Sequence, residues 1–173
     1  MGVDKVMSKI TTLGGAEDFS KEKRKKGQTV GLVVGSFDIL HLGHTNLFRF
    51  AKKHVDNLIV GLDNDETIKL VKGKNRPINN YKNRAKLLSD LVTVDKIFQI
   101  ENISHHDSEE AQESYSQLVT AICPSHTFTH KICDRHWQKK MRIAKENGIK
   151  MMFDKSKRIT NSGTIIDKLN AEL

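Results

Sequence analysis

Between residues 29 and 153 the chain alternates two kinds of segment, and this alternation narrows the fold more than any other feature. Five short apolar runs read as strands: TVGLVV (29–34), NLIVGL (57–62), KIFQI (96–100), HTFTHKI (126–132) and IKMMF (149–153). The stretches between them place apolar residues at helical spacing. Leu47, Phe50, Ala51 and Val55 mark a helix over 43–54. NDETIKLV (64–71), YKNRAKLLSDLV (81–92), SEEAQESYSQLVTAI (108–122) and RHWQKKMRIAKEN (135–147) mark four more, and a final helix closes the chain at about 163–171. The 108–122 helix opens on acidic residues, which suit the positive end of a helix dipole. Gly148 follows the 135–147 helix at the C′ position. Strands alternating with helices predict an α/β fold. The expected form is a single-domain, doubly wound, Rossmann-like, five-stranded parallel sheet with helices on both faces. Residues 1–28 lack a strong period and contain Gly14–Gly15, so they are expected to form an N-terminal extension with one short helix. The domain proper is then 29–173. A chain of 173 residues suits one domain and buries roughly two thirds of its unfolded surface.

Charge and composition bound the partners. The hydrophobic fraction is 37% and the charged fraction 29%, ordinary for a soluble globular protein. No apolar run approaches the roughly 20 residues of a membrane helix, and the N-terminus lacks the apolar core of a signal peptide, so no membrane partner and a cytoplasmic location are expected. Two cysteines, Cys123 and Cys133, are too few for a disulfide scaffold and predict reduced thiols. The net charge is +8, and KEKRKK (21–26) alone holds five cations. That excess fits a solvated basic surface. It also fits polyanionic partners: nucleotides, phosphorylated metabolites or nucleic acid.

The chemistry is concentrated in VVGSFDILHLGH, Val33 to His44. In a parallel sheet, ligands bind beyond the carboxyl ends of strands, where strand order reverses. The first predicted strand ends at about Val34, so Gly35 to His44 lies at that edge. Gly35 allows close approach of the backbone to a ligand. The following helix starts at about Gly43, and its unpaired N–H groups make an anion site. His41 and His44, three apart, share one face of its first turn. Two imidazoles there can donate to a phosphate whose other oxygens meet backbone N–H groups. An H-x-x-H pair is also half of a zinc site, but no H-E-x-x-H or paired C-x-x-C completes it. Two unrelated histidines are the remaining reading. The Gly-x-Phe-Asp lead-in favours phosphate chemistry, and no metal ligands are assigned.

GSFDILHLGH resembles the G-x-F-D-x-x-H-x-G-H signature of the cytidylyltransferase-like nucleotidyltransferase superfamily. KGKNRPINNYKNR (72–84) is similar to the lysine-bearing loop and following helix of the bacterial heptose-phosphate adenylyltransferases. VTVDKIFQI resembles their next strand. RITNSGTII (158–166) resembles a variant of their closing R-x-x-x-(I/C)-S-T-T-x-I motif. The resemblance covers roughly residues 29–170. It implies transfer of a nucleoside monophosphate: a phosphorylated acceptor attacks the α-phosphorus of ATP or CTP, and pyrophosphate leaves. It also implies roles. His41 and His44 contact the nucleotide phosphates and stabilise the transition state, while Ser36 and Phe37 supply backbone contacts beside them. Lys72 and Lys74 belong to a mobile loop that reaches the phosphates, and Arg84 follows that loop. Lys131 and Asp134 lie on the loop against base and ribose. Arg158, Ser162 and Thr164 form the closing phosphate-binding motif. Mg²⁺ is expected to travel with the triphosphate, and a homodimer is implied.

The chain departs from the pattern in three places. The closing motif reads Ser162-Gly163-Thr164, one hydroxyl short. HKICDR (130–135) replaces V-K-G-G-D-Y, so Ile132 and Cys133 stand where glycines are usual, and base identity is left open. His105–His106 has no counterpart. His130, Cys133 and His136 recur at three-residue spacing, which reads as a metal cluster or as a strand end with a buried thiol. Trp137 reads as a base-stacking or a packing residue. The leading expectation is an adenylyltransferase acting on a sugar phosphate. A CTP enzyme acting on glycerol phosphate or a similar alcohol phosphate is the alternative. From another class comes a non-catalytic nucleotide or nucleic-acid binding module, against which both imidazoles of His-x-Gly-His argue. In KGKNRP, Gly73 is a flexible point, Lys72, Lys74 and Arg76 carry charge, and Pro77 stiffens the far end, so the loop is expected to close over a triphosphate.

Overall fold

The computed structural model describes residues 9–156 and 162–171. In chain order the elements are β1 (Ile10–Thr11), α1 (Leu13–Lys25), β2 (Val30–Gly35), α2 (Leu42–Lys52), β3 (Asn57–Asp63), α3 (Asp65–Lys72) and α4 (Tyr81–Ser89). β4 (Lys96–Ile100), α5 (Glu109–Ile122), β5 (His126–His130), α6 (Trp137–Glu146), β6 (Lys150–Asp154) and α7 (Ser162–Asn170) follow. All paired strands run parallel in one sheet of order β1-β4-β3-β2-β5-β6. No helix among the described residues is long and apolar enough to cross a membrane.

The sheet has six strands where the sequence predicts five. The sixth, β1, comes from the expected N-terminal extension and pairs Ile10 with Ile97 and Thr11 with Phe98. Two residues are too few to show a period. α1 follows at once, its N-cap Thr12 side chain accepting from the Gly15 amide. A Cβ on Gly15 would lie 2.0 Å from Thr11 Oγ1, so glycine permits the sharp passage from strand to helix. α1 then packs on the sheet: Ala16 and Ser20 are buried, and the Ser20 hydroxyl donates to the Ile122 carbonyl at 2.5 Å.

Strand side chains alternate between two cores. Val33, Val60 and Ile97 face a core with Leu47, Phe48 and Ala51 of α2 and Ala85 and Leu88 of α4. Leu32, Ile59 and Phe98 face the other, with Ala16 of α1, Val119 and Ile122 of α5 and Ile143 of α6. From β2 the chain proceeds to β3 and β4 in one direction, then crosses back to β5 and β6. β2 is thus the point of reversal. Its ladder with β3 runs for six residue pairs, but its ladder with β5 covers Gly31 and Leu32 only. The two strands part toward their carboxyl ends, and a cleft opens there.

Candidate active site

The cleft encloses about 650 Å³ and is floored by the ends of β2, β3 and β5. Val34, Gly35, Ser36, Phe37 and Asp38 line it, as do His41 and His44. The turn that carries them is strained. Phe37 has φ +45°, in the left-handed region, which costs a bulky residue about 1–3 kcal/mol. Packing holds it: the ring is buried, stacks edge-on to His44 at 5.0 Å and lies 5.1 Å from Phe48. A Cβ at Gly35 would sit 3.2 Å from that ring, so Gly35 leaves it room.

Hydrogen bonds hold the same turn from beneath. Buried Asp38 accepts from the Asn79 amide at 2.9 Å, and its carbonyl accepts from Asn79 Nδ2 at 2.8 Å. Arg76 Nη2 lies 2.5 Å from Asp38 Oδ2, an ion pair rather than an aligned hydrogen bond. Arg84, 1% exposed, donates to the carbonyls of Asn79, Ser36 and Asp63 at 3.0, 2.6 and 2.8 Å and to Asp65 Oδ1 at 2.7 Å.

The two imidazoles are arranged by the start of α2. His41 is the N-cap, its Nδ1 accepting from the Gly43 amide at 3.2 Å. An accepting Nδ1 carries no proton, so the ring's hydrogen sits on Nε2. His44 stacks on His41 with ring centroids 3.7 Å apart and planes 25° apart. Burial, with His41 and Lys72 close by, pushes the His44 pKa down to about 3. His44 is therefore neutral at pH 7 and can donate from one nitrogen only. Its Nδ1 is buried without a hydrogen-bond partner.

Lys72 ends α3 at the mouth of the cleft. Its outer side is exposed, yet the protein wall on its inner side, with Arg76 and Arg84, lowers its pKa against the pull of Asp63 and Asp38. Gly73 follows with φ +96° and open space around it, a conformation that favours glycine. Asp134 lines the cleft but is engaged: it accepts from Thr129 Oγ1 at 2.7 Å and from Lys140 Nζ at 2.8 Å. Burial raises its pKa, and the Lys140 charge and these hydrogen bonds outweigh that and hold it low.

The structure gathers Gly35, Ser36, Phe37, His41, His44, Lys72, Asp134 and Ser162 around this one cleft. Four of the expected residues are placed elsewhere. Lys74 is exposed beyond Gly73. Arg84 is spent on the backbone beneath the site. Lys131 Nζ sits 4.6 Å over the Trp137 ring, and Thr164 is exposed on α7. Arg158 lies outside the described residues. Cys133 is exposed, not a buried thiol, because β5 ends at His130 and the next residues form a turn. Among the described residues no group of three His, Cys, Asp or Glu side chains is placed to hold a metal. Trp137 packs edge-on against Phe153 at 5.4 Å.

Sequence reasoning missed Asp63 and the partner of His106. Asp63 ends β3 on the cleft. Its Oδ2 accepts from Ser36 Oγ at 2.8 Å and lies 3.4 Å from His106 Nε2. Burial raises the Asp63 pKa, but His106, the Ser36 hydroxyl and Lys140 together hold it below the usual value. The available signal was a lone carboxylate closing an otherwise apolar strand, NLIVGLD.

Fold and cleft define a Rossmann-like α/β protein with its ligand site at the strand reversal. Residues 32–168 match the family model described as cytidylyltransferase-like, and the chain belongs to that family of nucleotidyltransferases. It is 40% identical over 90 residues to the bifunctional protein HldE of Paramagnetospirillum magneticum, covering 52% of this chain and 18% of that protein. Against the bifunctional protein HldE of Rhodopseudomonas palustris the identity is 36% over 118 residues, 68% of this chain and 22% of that one. The chain thus spans about a fifth of the length of these relatives. Among solved structures it is similar to the lipopolysaccharide core biosynthesis protein of Thermoplasma volcanium, with TM-score 0.57 and 23% identity over 76% of this chain and all of that one. It is also similar to the bifunctional NMN adenylyltransferase/ADP ribose pyrophosphatase of Francisella tularensis, with TM-score 0.62 and 15% identity over 84% of this chain and 43% of that one. These structural likenesses concern the fold.

Proposed function

We propose that the chain transfers a nucleoside monophosphate from ATP to a phosphorylated sugar, releasing pyrophosphate. The observation that carries this reading is the stacked His41–His44 pair at the end of β2, held by a strained turn. A phosphate oxygen of the acceptor forms a bond to the α-phosphorus, the bond from that phosphorus to the bridging oxygen breaks, and its electron pair leaves with pyrophosphate. The acceptor is already a nucleophile, so no strong base is needed. The protein supplies position and countercharge. His41, through Nε2–H, and neutral His44 donate to the transferring phosphate. Backbone N–H groups at the start of α2 meet its other oxygens, and Lys72 adds positive charge at the mouth of the cleft, beside Arg76 in its ion pair with Asp38. Mg²⁺ is taken to arrive on the triphosphate; among the described residues no three His, Cys, Asp or Glu side chains converge to hold a metal. Mg²⁺ carried in this way neutralises phosphate charge.

The similarity to the HldE proteins and the heptose-like KGKNRP loop support ATP and a sugar phosphate. The altered 130–135 turn favours a second reading, CTP with glycerol phosphate or a similar alcohol phosphate. There Lys131 packs on Trp137, and the two expected glycines are absent. Pyrophosphate release with ATP or CTP across a panel of sugar and alcohol phosphates tests both. No release with any pair leaves a nucleotide-binding module and defeats the transferase reading.

A further inference from the structure

The proposed reaction brings two anions into one cleft, the triphosphate and the acceptor phosphate. His41, His44, Lys72 and Arg76 suit them. Asp63 does not, because a carboxylate beside phosphates is repelled unless the ligand offers it donors. Yet Asp63 borders the same cleft with its side chain 9% exposed. It is also anchored there. Both the Ser36 hydroxyl, at 2.8 Å, and His106 Nε2, at 3.4 Å, address its Oδ2, so Asp63 is fixed against the turn that carries the histidines.

The segment that carries His106 is anchored as well. It lies in the connection from β4 to α5, which passes over the end of β3 and reaches the start of α6. There Asp107 Oδ1 lies 3.3 Å from His136 Nδ1, and Lys139 Nζ donates to the Asp107 carbonyl at 3.1 Å. Asn102, Ser104 and Gln112 line the same cleft, together with Lys139 and Lys140. Amides, hydroxyls, an imidazole and a carboxylate exchange hydrogen bonds with hydroxyl groups; they do not neutralise phosphates. The cleft therefore carries, beside its cations, with Lys72 and Lys140 both within reach of the Asp63 charge, a set of donors and acceptors suited to hydroxyls.

We propose that Asp63 and His106 recognise hydroxyl groups of the acceptor, so that the acceptor is a phosphorylated polyol with its phosphate toward His41 and His44 and its hydroxyls on the Asp63 side. This rests on the nucleotidyltransferase reading above. A site built to bond a hydroxyl rejects an analogue that lacks it, because its own polar groups are then left unpaired.

The test measures pyrophosphate release by the whole chain with Mg²⁺ and its preferred nucleotide. The acceptors are aldohexose and aldoheptose phosphates, glycerol 3-phosphate, and ethyl phosphate, which has no hydroxyl. With the wild-type chain, ethyl phosphate should give kcat/KM at least about tenfold below the best polyol phosphate. Asp63→Asn should raise KM for that polyol phosphate roughly tenfold or more, hold KM for the nucleotide within about threefold, and narrow the gap to ethyl phosphate. His106→Gln should shift the same parameters in the same direction, and it serves if Asp63→Asn fails to fold. Ethyl phosphate turned over as well as the polyols overturns the inference and leaves the transferase reading standing. A loss confined to nucleotide KM or to Mg²⁺ dependence also overturns it, since the carboxylate would then serve the nucleotide or its cation. No release with any phosphate overturns the transferase reading and the inference together.

Discussion

His41 does two jobs that substitution can separate. It caps α2 through Nδ1, and its ring borders the cleft. His41→Ala should lose both, lowering kcat roughly 10²-fold or more, about 2.7 kcal/mol in the barrier, and costing about 1 kcal/mol of stability as a lost cap. His41→Asn keeps a capping oxygen, so denaturant unfolding should return near wild type while turnover stays low. His44→Ala should lose turnover to the same extent, and full turnover by it would remove the pair from the mechanism. His44 also makes stability depend on pH in a definite direction. Unfolded, the ring takes a proton at about pH 6.5; folded, it refuses one until about 3. Below about pH 6.5 the unfolded state binds the extra proton, so His44 lowers stability progressively as pH falls toward 3. His44→Gln should flatten that acid-side loss in unfolding curves. Bound triphosphate, an anion against the ring, should raise the His44 pKa, visible as an imidazole signal that titrates at higher pH with nucleotide than without.

The segment from α3 to α4 shows where helices and strands could be read and side-chain direction could not. The periods of TVGLVV, NLIVGL and YKNRAKLL gave each element its place, because burial on one face imposes spacing on sequence. Arg84 stands at a family position and was expected at the nucleotide. A motif position does not say which way a long side chain points, and this one points inward to four acceptors. Its substitution tests that geometry. Arg84→Lys supplies one ammonium where four hydrogen bonds diverge, and it should cost about 3 kcal/mol of stability and lower kcat through Ser36. Lys72 was legible and does border the cleft, but the freedom of its loop is narrower than KGKNRP implied. Arg76 is tied to Asp38 and Asn79 to the same residue, which leaves the stretch about Gly73 as the hinge. Lys72→Ala should therefore depress kcat strongly while changing nucleotide affinity by less than about tenfold, ~1.4 kcal/mol. Cleavage by trypsin after Lys72 or Lys74 should slow with Mg²⁺ and nucleotide. Equal cleavage rates together with normal Lys72→Ala turnover would defeat the closing loop.

At the scale of the whole molecule, the site lies where strands part, so its ligand joins the two halves of the sheet. Nucleotide with Mg²⁺ at about a hundred times its Kd should stabilise the fold by roughly 2.7 kcal/mol, read as a rise of about 5–10 °C in Tm for a domain of this size. No shift under saturating nucleotide would argue against a preformed site. The parallel α/β class was legible because every strand between Val30 and Asp154 is followed or preceded by a helix. β1 was not, since its two residues are defined by a partner 87 positions away, Ile97, rather than by any local pattern. That short strand has a colloidal consequence. β4 would otherwise end the sheet with its Ile97 and Phe98 backbone open to another chain, a template for edge-to-edge aggregation. Ile97 N–H instead donates to the Lys9 carbonyl at 2.9 Å, Lys9 Nζ is tethered to the Leu91 carbonyl, and β1 is itself too short to seed a further ladder. At the far edge, β6 begins on Lys150 and ends on Asp154. The sheet is thus blunted by brevity on one side, while on the other only Lys150 sets an exposed charge on the edge strand, and both features work against edge-to-edge growth into fibres.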